Sequence, residues 1–77
     1  MLTTGQRIRK LRKNNGYTQE RLAELVDVAL MTVVRWEADK RIPYGEKLYR
    51  LSKVFGVSMN YILKGEQISD TGSENTD

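Results

Sequence analysis

Between Thr18 and Ala38 the chain carries two short helical patterns separated by nothing longer than Asp27-Val28. A junction that tight makes the two segments pack on each other. In the first, from Thr18 as N-cap to about Val26, Leu22, Leu25 and Val26 are apolar, and Ala23 is small where the partner helix must approach closely. Glu20 stands in its first turn, where the helix dipole favours negative charge. The second segment runs from Ala29 to about Ala38. Its stretch Val28-Ala-Leu-Met-Thr-Val-Val34 is rich in β-branched residues, and periodicity alone leaves a buried strand open. A lone strand among helices would have no pairing partner, so a helix is the preferred reading.

The flanking segments are also helical by pattern. Thr3 and Gln6 have capping-box spacing ahead of a helix over 3–15, in which Ile8 and Leu11 set an inward face and Gly16 supplies a stop. Ile42-Pro43 reads as a connector. Tyr44 to Phe55 forms a fourth helix with Leu48, Leu51, Val54 and Phe55 at buried-stripe spacing. Gly56 suits a left-handed C-terminal position. Ser58 then caps a short fifth helix through Leu63, which Gly65 ends. The expected architecture is all-α, a compact five-helix domain over 1–64, followed by a polar, acidic, disordered tail over 65–77.

Composition narrows the function. The 77 residues include neither Cys nor His, which removes thiol chemistry, cysteine zinc sites, and the commonest general base and metal ligand. All thirteen basic residues lie in 1–64 with six of the ten acidic ones, so that stretch carries +7 while 65–77 carries −4. A basic body suits an anionic partner. No apolar run approaches the ~18–20 residues of a membrane span, and the start lacks a signal-peptide core. A cytoplasmic location is expected.

Two short helices joined by a tight turn within a basic bundle are the ingredients of a helix-turn-helix. The stretches LRKNNGYTQERLAELV (11–26), VVRWEADKRIP (33–43) and KVFGVSMNYILKG (53–65) resemble the lambda-repressor-like family of Cro and cI-type phage and bacterial regulators, often called the Xre type. The resemblance covers residues 4–65 and implies five helices, with the third entering the DNA major groove and the second crossing above it. It implies phosphate contacts by Thr18 and Gln19 on one side of the groove and by Lys40, Arg41 and Tyr44 on the other. Free N–H groups at a helix N-terminus attract phosphate independently of any family. Five basic residues crowd positions 7–13; Arg7, Arg9, Lys10 and Lys13 are expected to point mostly outward, steering DNA at long range or touching phosphate.

The third helix departs from the family pattern. Asp27 stands where Gly is common, and Asp tolerates left-handed geometry better than most residues. Ala29 occupies the N-cap position, at a cost of about 0.5–2 kcal/mol against Ser or Thr. Leu30, Met31 and Val34 replace residues that often hydrogen-bond. In one reading Ala29, Leu30 and Met31 touch thymine methyl groups, Thr32 reaches a base or phosphate, and Arg35 reads guanine. In the other, the apolar patch is a protein-binding surface, of antitoxin or antirepressor type, on a fold that no longer reads DNA. The first is preferred because Gln19 and the Lys40-Arg41 loop are retained.

Family members commonly pair as homodimers on two-fold operators through the fifth helix and the segment before it, which here offers Val57, Met59, Tyr61 and Ile62. No cofactor, metal or small-molecule ligand is expected. Glu20, Glu24 and Asp27 read as a solvated face and Asp70, Glu74 and Asp77 as a loose tail, so an enzyme is not expected. If the chain is complete, its control comes from abundance, partner proteins or proteolysis.

Arg12 lies four residues after Ile8, and Glu37 four after Val33, both at inward positions of neighbouring helices. They are expected to form a partly buried ion pair, as related repressors do at these positions. Removing one partner of such a pair costs about 3–5 kcal/mol. Glu37→Ala should therefore lower the melting temperature sharply, and an unchanged thermal melt would refute the pairing.

Overall fold

The computed structural model describes residues 1–65, and these form five α-helices: α1 (Thr4–Asn14), α2 (Gln19–Val26), α3 (Leu30–Glu37), α4 (Gly45–Phe55) and α5 (Met59–Lys64). The expected tail lies outside the described residues, except for Gly65, which takes the left-handed C-cap of α5. Local chemistry sets the helix boundaries. Thr3 and Gln6 form the reciprocal capping box of α1, while Thr18 and Ser58 accept the first-turn N–H groups of Arg21 and Tyr61. Ala29 makes no side-chain cap bond. Tyr44 makes none either, and α4 opens instead on Gly45, whose φ of +59° favours a residue without a Cβ.

The β-branched stretch 30–34 is helical, because its neighbours bury one face of a helix rather than one edge of a sheet. Val33 and Trp36, three residues apart, both enter the core, and α3 packs on α1 and α2. Ile8, Leu22, Ala23, Val26, Leu48, Leu51, Phe55 and Ile62 complete that core, with Leu11, Val28, Val54 and Val57 half-buried around it. Ile62 is wholly buried. It fills the centre of the domain and is unavailable to a second subunit, which corrects its expected place in a dimer interface.

Arg7 also departs from expectation. It does not point outward but is buried, with Nε donating to the carbonyl of Ile62 at 2.9 Å and Nη2 to that of Leu63 at 2.6 Å. Its Nη1 donates to the carbonyl of Leu2. The last turn of a helix leaves carbonyls without partners, and α5 meets α1 where Arg7 supplies the missing donors. Thr4 Oγ1 adds a further donor to Leu63 O at 2.9 Å.

The crossing of α1 on α3 is close. A Cβ on Gly5 would stand 2.3 Å from Trp36 O and 2.9 Å from Glu37 O, both backbone atoms. Just beyond, Asp39 adopts φ +60° and turns its carboxylate onto the start of α1. Its Oδ2 accepts from Thr3 Oγ1 at 2.6 Å and its Oδ1 from Gly5 N at 2.9 Å. Those two hydrogen bonds outweigh desolvation and, with Arg7 nearby, hold the Asp39 carboxyl below the usual carboxylate range.

Gly5→Ala should destabilise the domain by about 1–3 kcal/mol, since backbone cannot step aside as a side chain can; an unchanged urea midpoint would count against the close crossing. For Asp39 the folded pKa is depressed, so its stabilisation is complete above the unfolded value of about 3.9 and fades as pH falls through the folded value. Asp39→Asn should therefore lower the melting temperature at neutral pH. The gap to the parent protein should close on acidification below about pH 4, whereas a pH-independent gap would contradict the assignment.

Candidate nucleic-acid interface

The turn between α2 and α3 is built by Asp27 in the left-handed conformation, φ 58° and ψ 53°. The Val28 N–H reaches back to Ala23 O at 3.0 Å and the Asp27 N–H to Glu24 O at 3.2 Å, closing the end of α2. From α4, Arg50 braces this turn by donating to Val26 O at 3.3 Å, and it lies 3.6 Å from the Asp27 carboxylate. The chain thus turns within three residues, Asp27 to Ala29, and enters α3 at an uncapped N-terminus where Ala29 is exposed.

Along α3 the buried Val33 and Trp36 leave the opposite side to solvent. Ala29 and Arg35 are exposed, Leu30 and Met31 are 41% and 51% exposed, and Thr32 and Val34 are half-buried. Of the expected base-reading residues, Ala29, Leu30, Met31 and Thr32 lie at the start of α3 and Arg35 in its last turn; Thr32 and Arg35 line one cavity, and Leu30 lines another beside α2.

On one flank lies the start of α2. Thr18 is its N-cap, and Gln19 donates from Nε2 to Glu37 Oε1 at 3.1 Å. Arg9 of α1 shares a shallow cleft with Gln19, Val34 and Ala38. Under this flank the expected ion pair is present: Arg12 Nε and Nη2 donate to Glu37 Oε2 and Oε1 at 2.6 and 3.0 Å, and both side chains are almost fully buried. Arg12 Nη1 also donates to Tyr17 O at 2.9 Å.

On the other flank, the loop after α3 is held by Lys40 N donating to Arg35 O at 2.9 Å. Lys40 and Arg41 are exposed, and Tyr44 is 78% exposed. Arg35, Arg41, Tyr44 and Lys47 surround a cavity of about 110 Å³ whose floor includes Thr32 and Trp36. Lys47 escaped the sequence reading. The signal available was its place three residues after Tyr44, one helical turn along α4 from the Lys40-Arg41 loop.

The remaining interface candidates stand apart from this surface. Met59 is exposed, Val57 and Tyr61 are half-buried, and Val57 and Met59 line a groove with Tyr49 and Lys53. Among the described residues no cluster of three or more metal-ligating side chains occurs, and no helix is long and apolar enough to cross a membrane.

A family model described as helix-turn-helix matches residues 8–62. The transcriptional regulator DicA of Escherichia coli is 41% identical over 66 residues, covering 86% of this chain and 49% of DicA. The chain thus spans about half the length of that curated relative. Among solved structures, the c2 repressor of Salmonella phage P22 in complex with a synthetic operator superposes with a TM-score of 0.82 at 36% identity, covering 86% of this chain and all of that one. The biofilm regulator SinR in complex with DNA gives a TM-score of 0.72 at 33% identity, over 78% of this chain and 97% of that one. With the match spanning α1 to α5 and the turn built as described, the chain belongs to the helix-turn-helix family of Xre, Cro and cI-type transcriptional regulators.

Proposed function

We propose that this protein is a sequence-specific double-stranded DNA-binding transcriptional regulator, acting as a repressor, that reads the major groove with α3. The observation that carries the reading is the placement of hydrogen-bond donors and cations on both flanks of one exposed helix surface, with Thr18 and Gln19 on one side and Arg41, Tyr44 and Lys47 on the other. Phosphate contacts on two sides fix register and orientation, and base contacts between them carry sequence information. Thr18, Gln19, Lys40, Arg41 and Tyr44 hold the backbone. Ala29, Leu30 and Met31 face thymine methyl groups, Thr32 a base or phosphate, and Arg35 guanine. The P22 c2 repressor and SinR, each solved with DNA, support this reading.

One module of this size reads few base pairs. A homodimer would place two α3 helices about one helical turn (~34–36 Å) apart on a two-fold operator. Val57, Met59 and Tyr61 are the residues left for that contact once Ile62 is assigned to the core.

The exposed Leu30 and Met31 favour a second reading, in which α3 docks a protein. The two readings separate cleanly. Binding to a random duplex pool that weakens steeply with salt supports the regulator, while no binding to any pool at low salt supports the protein-docking module. On a selected operator, Arg35→Ala should cost about 1–3 kcal/mol and relax preference at one base pair. Lys40→Ala should weaken all sequences alike and flatten the salt dependence. The reverse pattern would overturn the division of roles.

A further inference from the structure

Gln19, the first residue of α2, does not hang free at the surface. Its Nε2 lies 3.1 Å from Glu37 Oε1. A carboxylate has no hydrogen to give, so the amide nitrogen, not the amide oxygen, must face it. The same carboxylate takes two hydrogen bonds from Arg12, which a third bond ties to Tyr17 O. The anchor therefore belongs to the buried frame joining α1 to α3, and the positive charge of Arg12 offsets the negative charge of Glu37 beneath the phosphate flank.

We propose that Glu37 is a positioning residue for DNA binding: it holds the Gln19 carboxamide by one N–H and leaves the other for a phosphate oxygen. The inference rests on the regulator reading above. A free glutamine must surrender rotamer freedom when it grips a phosphate, which weakens binding. Here that ordering is already complete in the folded chain. The ion pair then has two duties, joining α1 to α3 and setting the geometry of a contact at the surface.

The test must remove the anchor without leaving a lone buried charge. Replacing both partners of a buried pair with apolar residues of similar volume is commonly neutral or stabilising, so R12M/E37M is the variant of choice, with its fold checked by thermal melting. Affinity for a short random-sequence duplex at low salt is then measured with and without Gln19→Ala. In the parent chain Gln19→Ala should weaken binding about tenfold, as for a hydrogen bond to a charged group. In R12M/E37M the same change should cost about twofold or less, because an unanchored glutamine contributes little.

A purely structural ion pair would give the same Gln19→Ala penalty in both backgrounds, and that result overturns the proposal. Should R12M/E37M fail to fold, NMR of the unchanged chain without DNA decides. An ordered Gln19 side-chain amide, approaching the ~0.85 order parameter of rigid backbone, supports anchoring, and a freely averaging one refutes it. Failure of the regulator reading looks different: the unchanged chain then binds no duplex at all, and the inference falls with it.

Discussion

An eight-residue helix has almost no stability of its own, since isolated helices below ~12–15 residues are marginal in water. Helix α3 is that short and begins on a residue that makes no side-chain cap bond. It exists because Val33 and Trp36 are buried between α1 and α2, and because Glu37 at its end is locked to Arg12. The near contact at Gly5 lets α1 come close enough for both. The rest of the domain can be understood as the support for this one element. Helices α4 and α5 close the far side of the core, and Arg50 reaches over from α4 to steady the turn through which the chain enters α3.

Features governed by near neighbours were legible in the sequence. The caps at Thr3, Thr18 and Ser58, the left-handed Asp27 and the uncapped Ala29 each depend on a few adjacent residues, and all appear as read. The Arg12–Glu37 pair was legible because each partner sits four residues from a core residue on its own helix, beside Leu11 and Trp36 respectively. The proposed DNA-contacting residues could be named from the family pattern, but not their internal partners. Arg7 precedes Ile8 and lies four residues before Leu11, a position compatible with either solvent or an interhelical seam. What decides is the end of α5, more than fifty residues away, arriving with carbonyls to satisfy. Asp39 and Gly5 were missed for the same reason, since each has meaning only where α1 meets the end of α3.

The charge distribution changes sense when seen in place. Positions 7–13 look like a basic stripe, yet Arg7 and Arg12 are spent on internal hydrogen bonds. Arg21 and Arg50 face acidic neighbours at the surface, pairs of a kind worth little to stability but enough to mute local potential. Arg9, Arg35, Lys40, Arg41 and Lys47 make no ion pair among the described residues, and they lie on or beside the two flanks of α3. Lys10, Lys13, Lys53 and Lys64 also make no ion pair among those residues and line neither flank, so four of the unpaired cations lie elsewhere while five gather around one surface. The position of the unneutralised cations, more than their number, supports an anionic partner there.

The guanidinium of Arg7 grips the backbone at Leu2 and again at Ile62 and Leu63. One side chain thus gathers backbone near the first and near the last of the described residues into a single spot. Over residues 2–63 the backbone path is nearly a ring, open by the span of one arginine. Such a topology suits circular permutation and grafting: a linker of a few residues could join Leu2 to Gly65, with new ends cut in an exposed loop. The same geometry would let the whole unit be spliced into a surface loop of another protein without stretching its host.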